Sequence, residues 1–367
     1  MNIRKKSFLL LVIFCYSFIE CNSIVAQFSD SIKLNDVRFL ASHNSYKKKP
    51  DPKVLHFLYR FKKRLGEDLD PNRMDYGHLS LSQQFNDYGI RGLELDVYYD
   101  PKGGKYRKRR LNLFIGGLKQ RVKDSVMRQP GFKMLHIADI DYETNYLTFK
   151  AALTEIYLWS KAHPDHTPIF INIEPKNVSL GDYSKVFRFF GFKKALKIDE
   201  SAYSALDAEI LSVFNASTEV FTPADLKLNY ATVKERLSEK GWPLLSECLG
   251  KVFFIIDGDR NGLYKSFLDK GENRPMFVYS EPEASSTAFV KRNDPTNNES
   301  EISELTKKYI VRTRCDVETI QARNNDYSLF ESAMASQAQI ISTDFYMADP
   351  TIGPFEVFTR FEKELKN

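Results

Sequence analysis

The sequence predicts one α/β domain built as a TIM-type (β/α)8 barrel, regular or distorted, and three observations support this fold class. The chain has 367 residues, of which 43% are hydrophobic, so it is long enough for one barrel-sized core. Short apolar segments rich in β-forming residues recur along the chain, and helical patterns lie between them. Eight such segments are present, which is the number of strands that closes this type of barrel.

The eight predicted strands follow one another from residue 37 to residue 343. They are, in order, Val37–Ala41, Ile90–Val97, Phe132–Ile137, Pro168–Glu174, Lys251–Asp257, Met276–Ser280, Tyr309–Arg314 and Gln339–Thr343. The clearest predicted helices are Thr148–Ala162 and Val317–Ala338. A weaker apolar segment, Val220–Thr222, precedes Pro223 directly, so we assign it to the connection before the fifth strand. The cluster of Asn, Asp, Pro, Thr and Ser in Asn293–Ser300 predicts a loop.

The N-terminal residues have the pattern of an export signal. Basic residues at positions 4 to 6 precede the apolar run Phe8–Phe18, which is too short to span a bilayer, and small and polar residues follow around Ala26. We therefore predict a signal peptide at residues 1–26, one domain at residues 27–367, and export to the periplasm or the medium. A retained N-terminal anchor is the alternative interpretation.

Charge and cysteine content of the mature chain restrict the possible partners. Removing residues 1–26 takes away three basic residues and one acidic residue, so the formal net charge falls from +5 to 5 − 2 = +3. This mild charge gives no reason to expect a nucleic-acid partner, and we predict a monomer. Only Cys248 and Cys315 remain; they could form one bridge, but they lack metal-ligand spacing.

Polar side chains collect at the C-terminal ends of the first four predicted strands, where barrel active sites are built. Glu94 and Asp96 are two residues apart on one strand, so both side chains leave the same face, and Glu174 ends the fourth strand before Pro175. Three converging carboxylates would repel one another unless a cation lies between them. With the amide oxygen of Asn44 the donors are all oxygen, which favours Ca²⁺ or Mg²⁺ over Zn²⁺.

Two histidines accompany these oxygen donors and are free for proton transfer. His43 follows the first predicted strand, and His136 lies on the third. An oxygen-ligated cation between two imidazoles suits phosphoryl transfer, in which one imidazole deprotonates a hydroxyl and the other protonates the departing alcohol. His163 and His166 also show close spacing, but they precede the fourth strand on the opposite face of the barrel, so we interpret them as surface residues.

Two segments near the predicted site are rich in basic residues. The insertion at residues 47–78 carries Lys62, Lys63 and Arg64 among others, and its apolar spacing predicts a short amphipathic helix. The loop after the second strand, from Lys102 to Arg110, is basic as well. Because both leave the C-terminal face, we predict peripheral contact of this rim with anionic membrane lipid, with apolar support from the side chains between Leu55 and Phe61. A solvated basic loop is the alternative.

At the residues of the predicted site the sequence resembles the phosphatidylinositol-specific phospholipase C superfamily, and most closely its secreted, calcium-dependent microbial branch. The matching strings include residues 41–46 (ASHNSY), 92–97 (GLELDV), 135–141 (LHIADID) and 173–176 (IEPK), and weaker matches continue to residue 346. The resemblance implies that phosphatidylinositol is cleaved to diacylglycerol and a cyclic inositol phosphate. It also implies that Asn44, Glu94, Asp96 and Glu174 hold Ca²⁺, and that His43 and His136 flank the phosphate.

The resemblance leaves several roles open. His136 is the expected acid, whereas either His43 or Glu94 could be the general base. Lys176, Arg312 and Arg314 are candidate phosphate contacts, and salt bridges with a carboxylate such as Asp257 or Asp344 are the alternative for the two arginines. Two other functions compete with the phospholipase. They are a glycerophosphodiester phosphodiesterase, whose first strand ends in His-Arg-Gly rather than His-Asn-Ser, and a catalytically silent lipid-binding barrel.

Overall fold

The computed structural model describes residues 31–65, 69–116, 125–183, 185–259 and 262–365. The predicted signal peptide therefore lies outside the described residues. Within them the strands are β1 Phe39–Ser42, β2 Gly92–Val97, β3 Ile169–Pro175, β4 Val252–Ile256, β5 Met276–Val278, β6 Phe289–Lys291, β7 Ile310–Arg314 and β8 Ile340–Thr343. The helices are α1 Pro52–Leu65, α2 Leu81–Tyr88, α3 Phe149–Ala162, α4 Leu180–Tyr183, α5 Lys185–Phe189, α6 Glu200–Leu211, α7 Pro223–Lys227, α8 Val233–Glu239, α9 Leu263–Asp269, α10 Pro295–Thr306, α11 Ile320–Asn324, α12 Ser328–Ala335 and α13 Phe358–Glu364.

These strands form one parallel sheet in the order β5-β4-β3-β2-β1-β8-β7-β6. A parallel bridge between Tyr279, just after β5, and Phe289 of β6 joins the two edges, so the barrel is nearly closed. Strand β2 begins very close to β1, since a Cβ atom on Gly92 would lie 2.4 Å from the Cβ of Ala41. The predicted fold class is confirmed.

The barrel interior and the layer beneath the helices form one buried apolar core. Aromatic rings of neighbouring strands meet inside it; the centroids of Phe170 and Phe253, for example, are 5.0 Å apart. Local signals define the surrounding helices. The Ser80 side chain accepts from the backbone N–H of Gln83 at the start of α2, and Gly89 ends that helix in the left-handed conformation (φ 56°).

The predicted third strand is wrong. Strand β2 pairs with β1 on one side and with β3 on the other, so it has no free edge for residues 132–137. The segment makes only single-residue bridges, from Lys133 to Tyr98 and to Thr148 and from Ile137 to Asp141. Its apolar side chains are divided between two clusters, with Phe132 in the main core and Leu135 in a smaller one, which explains the misleading hydrophobic run.

Other boundaries also differ from the sequence predictions. The three-residue strand β6 lies in a segment that was assigned no strand, and it takes the eighth place in the barrel. The predicted helix Val317–Ala338 is two shorter helices, α11 and α12. Helix α11 ends before Asn325, whose φ of +50° does not continue a right-handed helix. The predicted loop Asn293–Ser300 contains the start of α10, because the Asp294 side chain accepts from the backbone N–H of Asn297 and Pro295 opens the helix.

Helix α3 agrees with the predicted Thr148–Ala162, with Thr148 as its cap. Val220 makes a single bridge to Val252 and forms no strand, as expected. Cys248 and Cys315 are buried free thiols, so no bridge joins them. None of the helices in the described ranges has the length and apolar character that a bilayer crossing requires.

Candidate active site

The candidate site is a cavity of about 520 Å³ at the C-terminal ends of the strands. Both histidines and two of the predicted cation ligands face it together with all three predicted phosphate contacts; its lining includes His43, Glu94, His136, Glu174, Lys176, Arg312 and Arg314. A smaller recess of about 250 Å³ is also lined by both histidines. The structure therefore brings the predicted side chains to one place.

Three carboxylates meet at one side of this cavity. Glu94 and Asp96 project from β2, and the register of the sheet places Asp96 opposite Glu174 of β3. One oxygen of each carboxylate lies within 4.8 Å of the others. Glu94 and Asp96 are buried, whereas the Glu174 side chain is 32% exposed at the mouth. This geometry suits a single hard cation.

The amide of Asn44 supports the same conclusion. One of its two terminal atoms lies 2.7 Å from the Tyr76 hydroxyl, and the other lies 3.3 Å from both carboxylate oxygens of Asp96. The amide nitrogen would face Asp96 if the carboxylate were alone, whereas the oxygen faces it when a cation lies between them. Asn44 is thus placed to add a fourth oxygen donor to the three carboxylates.

Basic side chains balance the carboxylates. The Lys176 ammonium lies 2.9 Å from an oxygen of Asp96 and 2.9 Å from an oxygen of Glu174. Burial raises the pKa of Asp96 to about 7 against the opposing effect of Lys176. Burial also disfavours the charged form of Glu94, but His43 and Arg312 together hold the pKa of Glu94 well below its usual value.

The His43 imidazole is held between two carboxylates. Its Nδ1 lies 2.6 Å from Asp344 Oδ1 and 3.2 Å from the Tyr76 hydroxyl, and its Nε2 lies 3.3 Å from Glu94 Oε1. Although burial and Arg314 oppose it, Glu94 and Asp344 raise the pKa of His43 to about 9. Asp344 fixes the orientation of the ring, so that Nε2 points towards the carboxylate cluster.

The second histidine lies on a connection between β2 and β3, not on the strand predicted for it. His136 Nδ1 is 3.2 Å from Asp141 Oδ2, and that carboxylate lies 3.6 Å from the buried ammonium of Lys47. Burial lowers the pKa of His136 against the effect of Asp141. The contact with Asp141 leaves Nε2 of His136 available on the cavity side.

The two arginines both bind carboxylates. Arg312 Nη2 lies 2.5 Å from Glu94 Oε2, and Arg314 Nη2 lies 2.7 Å from Asp344 Oδ2. Asp344 was therefore correctly named as a possible partner of an arginine. Asp257 instead forms an ion pair with Lys291.

Sequence reasoning missed the side chains that orient the histidines. Asp344 follows β8 directly, so its place at a strand end could have indicated a role at the site. Asp141 lies five residues after His136 on an irregular segment; it belongs to the matching string 135–141, but it was given no role there. Tyr76 lies in the insertion, where no sequence pattern points to it. Lys47 is the first residue of the basic insertion at residues 47–78, but it is fully buried and donates to the carbonyl oxygens of Met74 and Tyr76.

The predicted amphipathic helix of the insertion is present as α1. Val54 and Leu58 are buried in an apolar cluster beside the barrel, and Phe57 packs against that cluster. Leu58 is therefore not available for contact with lipid. Arg109 of the second basic segment is also buried, with its guanidinium 3.3 Å from Glu143.

Two oriented imidazoles that face a cluster of oxygen ligands at the mouth of a barrel define a metal-assisted phosphodiester-cleaving enzyme. Comparison with known proteins gives the particular family. The family described as "Phosphoinositide phospholipase C, Ca2+-dependent" matches residues 32–366, and the chain belongs to it. Among curated protein sequences, none matches this chain significantly.

Solved structures with a similar fold include two bacterial enzymes. A calcium-dependent phosphoinositol-specific phospholipase C from a Pseudomonas species, in a myo-inositol complex, is 15% identical with a TM-score of 0.53, covering 87% of this chain and 92% of that chain. A Ca²⁺-dependent phosphatidylinositol-specific phospholipase C from Streptomyces antibioticus is 17% identical with a TM-score of 0.48. The match covers 86% of this chain and 96% of that chain. The likeness to the Pseudomonas structure supports the barrel fold.

Family membership confirms three predictions made from the sequence. The protein is a phosphatidylinositol-specific phospholipase C, its cofactor is Ca²⁺, and its substrate is a membrane phospholipid. This function is favoured over the glycerophosphodiester phosphodiesterase and over the silent lipid-binding barrel.

Proposed function

We propose that the protein is a calcium-dependent phospholipase C that forms diacylglycerol and a cyclic inositol phosphate, with His43 and His136 as its acid/base pair. The observation that carries this proposal is that both imidazoles line one cavity with Glu94 and Glu174. In such a cavity the inositol 2-hydroxyl attacks phosphorus and the diacylglycerol oxygen departs. Each of these two oxygen atoms requires a proton-transfer partner.

We assign Ca²⁺ to the oxygen atoms of Asn44, Glu94, Asp96 and Glu174. Bound there, the ion supplies positive charge that stabilises the phosphate oxygens as the phosphorus becomes pentacoordinate. The four side chains would hold the ion, and the fully buried Asp96 would bind it from the interior side of the cavity. Mg²⁺ demands tighter octahedral geometry and retains more of its water, so we expect it to replace Ca²⁺ poorly.

We assign the base role to His43 and the acid role to His136. Asp344 holds Nδ1 of His43, and the high pKa of that ring depends partly on the negative charge of Glu94. With a cation on Glu94, the proton affinity of His43 would be lower, and the ring would then accept the proton of the 2-hydroxyl. Asp141 orients His136 and, against the effect of burial, favours the protonated ring, which donates its proton to the diacylglycerol oxygen.

Lys176, Arg312 and Arg314 are proposed to contact the inositol phosphate. The Lys176 ammonium bridges Asp96 and Glu174, two of the assigned calcium ligands. A cation at those oxygens would displace the ammonium, which could then turn towards a phosphate oxygen. Arg312 and Arg314 keep their carboxylate partners and contribute positive charge to the cavity wall.

Export of the protein through a cleaved signal peptide and its action as a monomer also remain proposals. The basic and apolar pattern of residues 1–26 supports export. Mass spectrometry of the protein secreted by its producing cells would test cleavage after Ala26. A mature protein that retains residues 1–26 would contradict it.

The chemical proposal is tested by incubating the purified protein with phosphatidylinositol, with calcium and separately with EGTA. We expect release of diacylglycerol and cyclic inositol phosphate only with calcium. His43→Ala and His136→Ala should each lose activity, whereas His56→Ala, at an exposed position of α1, serves as the matched control. If Glu94→Gln abolishes turnover but binds calcium normally while His43→Ala stays active, the base is Glu94. Full activity in EGTA, or release of glycerol phosphate from glycerophosphoinositol, would contradict the proposal.

A further inference from the structure

A buried lysine lies behind the second histidine of the site. The Lys47 side chain is fully buried, and its ammonium lies 3.6 Å from Oδ2 of Asp141. The same carboxylate oxygen lies 3.2 Å from Nδ1 of His136. Lys47, Asp141 and His136 therefore form a row in which one carboxylate oxygen contacts both the ammonium and the imidazole.

The backbone of the insertion fixes the position of this ammonium. Lys47 Nζ donates to the carbonyl oxygen of Met74 at 2.6 Å and to that of Tyr76 at 2.7 Å. It also lies 4.5 Å from the centre of the Tyr76 ring, a distance at which a cation is attracted to the ring face. Because two carbonyls and a ring hold it, the ammonium is a fixed positive charge beside Asp141.

This charge offsets the cost of burying Asp141. The Asp141 side chain is fully buried, and a carboxylate in that position is stable as an anion only if it is paired. Although burial opposes them, Lys47 and His136 together lower the pKa of Asp141. Burial lowers the pKa of His136, and Asp141 opposes this more strongly than Lys47 adds to it. The net effect of the row is an anionic Asp141 that holds the Nδ1 proton of His136.

The row reaches the active-site cavity at one end only. His136 lines the cavity, whereas Lys47 and Asp141 do not. Any influence of Lys47 on the reaction must therefore pass through the residues between it and the cavity. The direct contacts that the structure offers for this lead through Asp141 to the imidazole.

We propose that Lys47 is a positioning residue for the acid step, because it keeps Asp141 charged and in place, and Asp141 aims the Nε2 proton of His136 at the departing oxygen. This inference rests on the proposed function, since it requires His136 as the acid. The bond between phosphorus and the diacylglycerol oxygen breaks as the His136 proton passes to that oxygen, and neither Lys47 nor Asp141 gains or loses a proton. Loss of the Lys47 charge should impair only leaving groups that need a proton.

The test compares two soluble substrates that differ in this need. Short-chain phosphatidylinositol below its critical micelle concentration releases an alcohol, whose oxygen requires a proton as it departs. The nitrophenyl ester of inositol phosphate releases nitrophenolate, a stable anion that departs without one. Turnover of both is measured at saturating calcium for the wild type, Lys47→Met, Lys47→Gln, Asp141→Asn and the double variant Lys47→Gln with Asp141→Asn.

Two controls accompany these variants. Lys133 is also fully buried, donates to two backbone carbonyls at 2.8 and 3.0 Å, and lies 3.7 Å from the buried carboxylate of Asp100, but neither residue lines the cavity. Lys133→Met therefore measures what the loss of a buried ammonium does to stability alone. Asp344→Asn is the comparison for the other histidine, because His43 acts on the attacking hydroxyl of both substrates.

We expect Lys47→Met and Lys47→Gln to lower turnover of phosphatidylinositol about 100-fold and that of the nitrophenyl ester less than about threefold, with KM unchanged. Asp141→Asn should show the same difference between substrates. Adding Lys47→Gln to Asp141→Asn should cause no further loss, because Lys47 acts through Asp141. Lys133→Met should turn over both substrates as the wild type does, and Asp344→Asn should slow both alike.

Thermal denaturation establishes that each variant is folded at the assay temperature, and if Lys47→Met is not, Lys47→Gln decides, since its amide can still donate to a backbone carbonyl. Equal losses on the two substrates in Lys47→Gln would assign a structural role to Lys47 and overturn the inference. So would unchanged turnover of phosphatidylinositol, or a further loss in the double variant. Failure of the proposed function looks different, because the wild type would then cleave neither substrate.

Discussion

The carboxylate of Asp344 connects β8 to the chemistry of His43, and its removal gives a prediction that can be worked out from the structure. Asp344 is buried and accepts two charge-assisted contacts, from His43 Nδ1 at 2.6 Å and from Arg314 Nη2 at 2.7 Å. Each such contact contributes about 1.5–3 kcal/mol. In Asp344→Asn the amide oxygen can still accept one of them, so we expect the free energy of unfolding to fall by about 2–4 kcal/mol.

The loss of activity should be much larger than this loss of stability suggests. Without the carboxylate, Nδ1 of His43 is no longer held, and the ring can adopt the wrong tautomer or orientation. By analogy with the orienting aspartate of serine proteases, turnover should fall by about 10³–10⁴-fold. The assay is phosphatidylinositol cleavage under saturating calcium, at a temperature where the variant is folded.

A matched control separates orientation from stability. Asp207 is also a buried carboxylate, held by Arg274 at 2.9 Å and by the Tyr264 hydroxyl at 2.7 Å, and none of these three residues lines the cavity. Asp207→Asn should lower the free energy of unfolding by a similar amount and leave turnover unchanged. If Asp344→Asn keeps more than about a tenth of wild-type activity, the orienting role of Asp344 is refuted.

Three further predictions concern the second histidine, the lysine at the carboxylates and the start of β2. His136→Ala should lower turnover by about 10²–10⁴-fold, whereas His163→Ala should not change it; equal activities in the cleavage assay would contradict the acid role. Lys176→Met should raise calcium affinity by about tenfold, because the competing ammonium is removed, and calorimetry that finds an unchanged affinity would refute this competition. Gly92→Ala should destabilise the protein by about 1–3 kcal/mol, because its Cβ would lie 2.4 Å from that of Ala41, whereas a Cβ on Gly116 meets no atom of the described residues within 4 Å, so Gly116→Ala should be neutral in thermal denaturation.

Much of the fold could be predicted because seven of the eight strands lie in short segments rich in apolar residues. Periodicity cannot distinguish such a strand from another buried apolar segment, and residues 132–137 were misassigned for this reason. Strand β6 has three residues, of which only Phe289 and Val290 are apolar, so the sequence shows no strand pattern there. Strand β6 is fixed in the barrel by its pairing with β7, a tertiary contact that the local sequence does not reveal.

The carboxylates of the site were predictable because Glu94, Asp96 and Glu174 lie at strand ends, where the alternation of side chains determines direction. Their partners were not. Asp141 and Tyr76 reach the histidines from irregular segments, whose paths depend on tertiary packing. The buried ammonium of Lys47 shows the same limit, since composition alone placed it on a basic surface.

The most direct test of the account is a calorimetric titration of Ca²⁺ into the wild type, Asp96→Asn and the control Asp165→Asn, which alters an exposed carboxylate outside the cavity lining. We predict one Ca²⁺ per wild-type chain, unchanged binding in the control, and affinity at least about tenfold weaker in Asp96→Asn, because one buried oxygen ligand loses its charge. Equal calcium affinity in Asp96→Asn and the wild type would contradict the assignment of the cation to this carboxylate cluster.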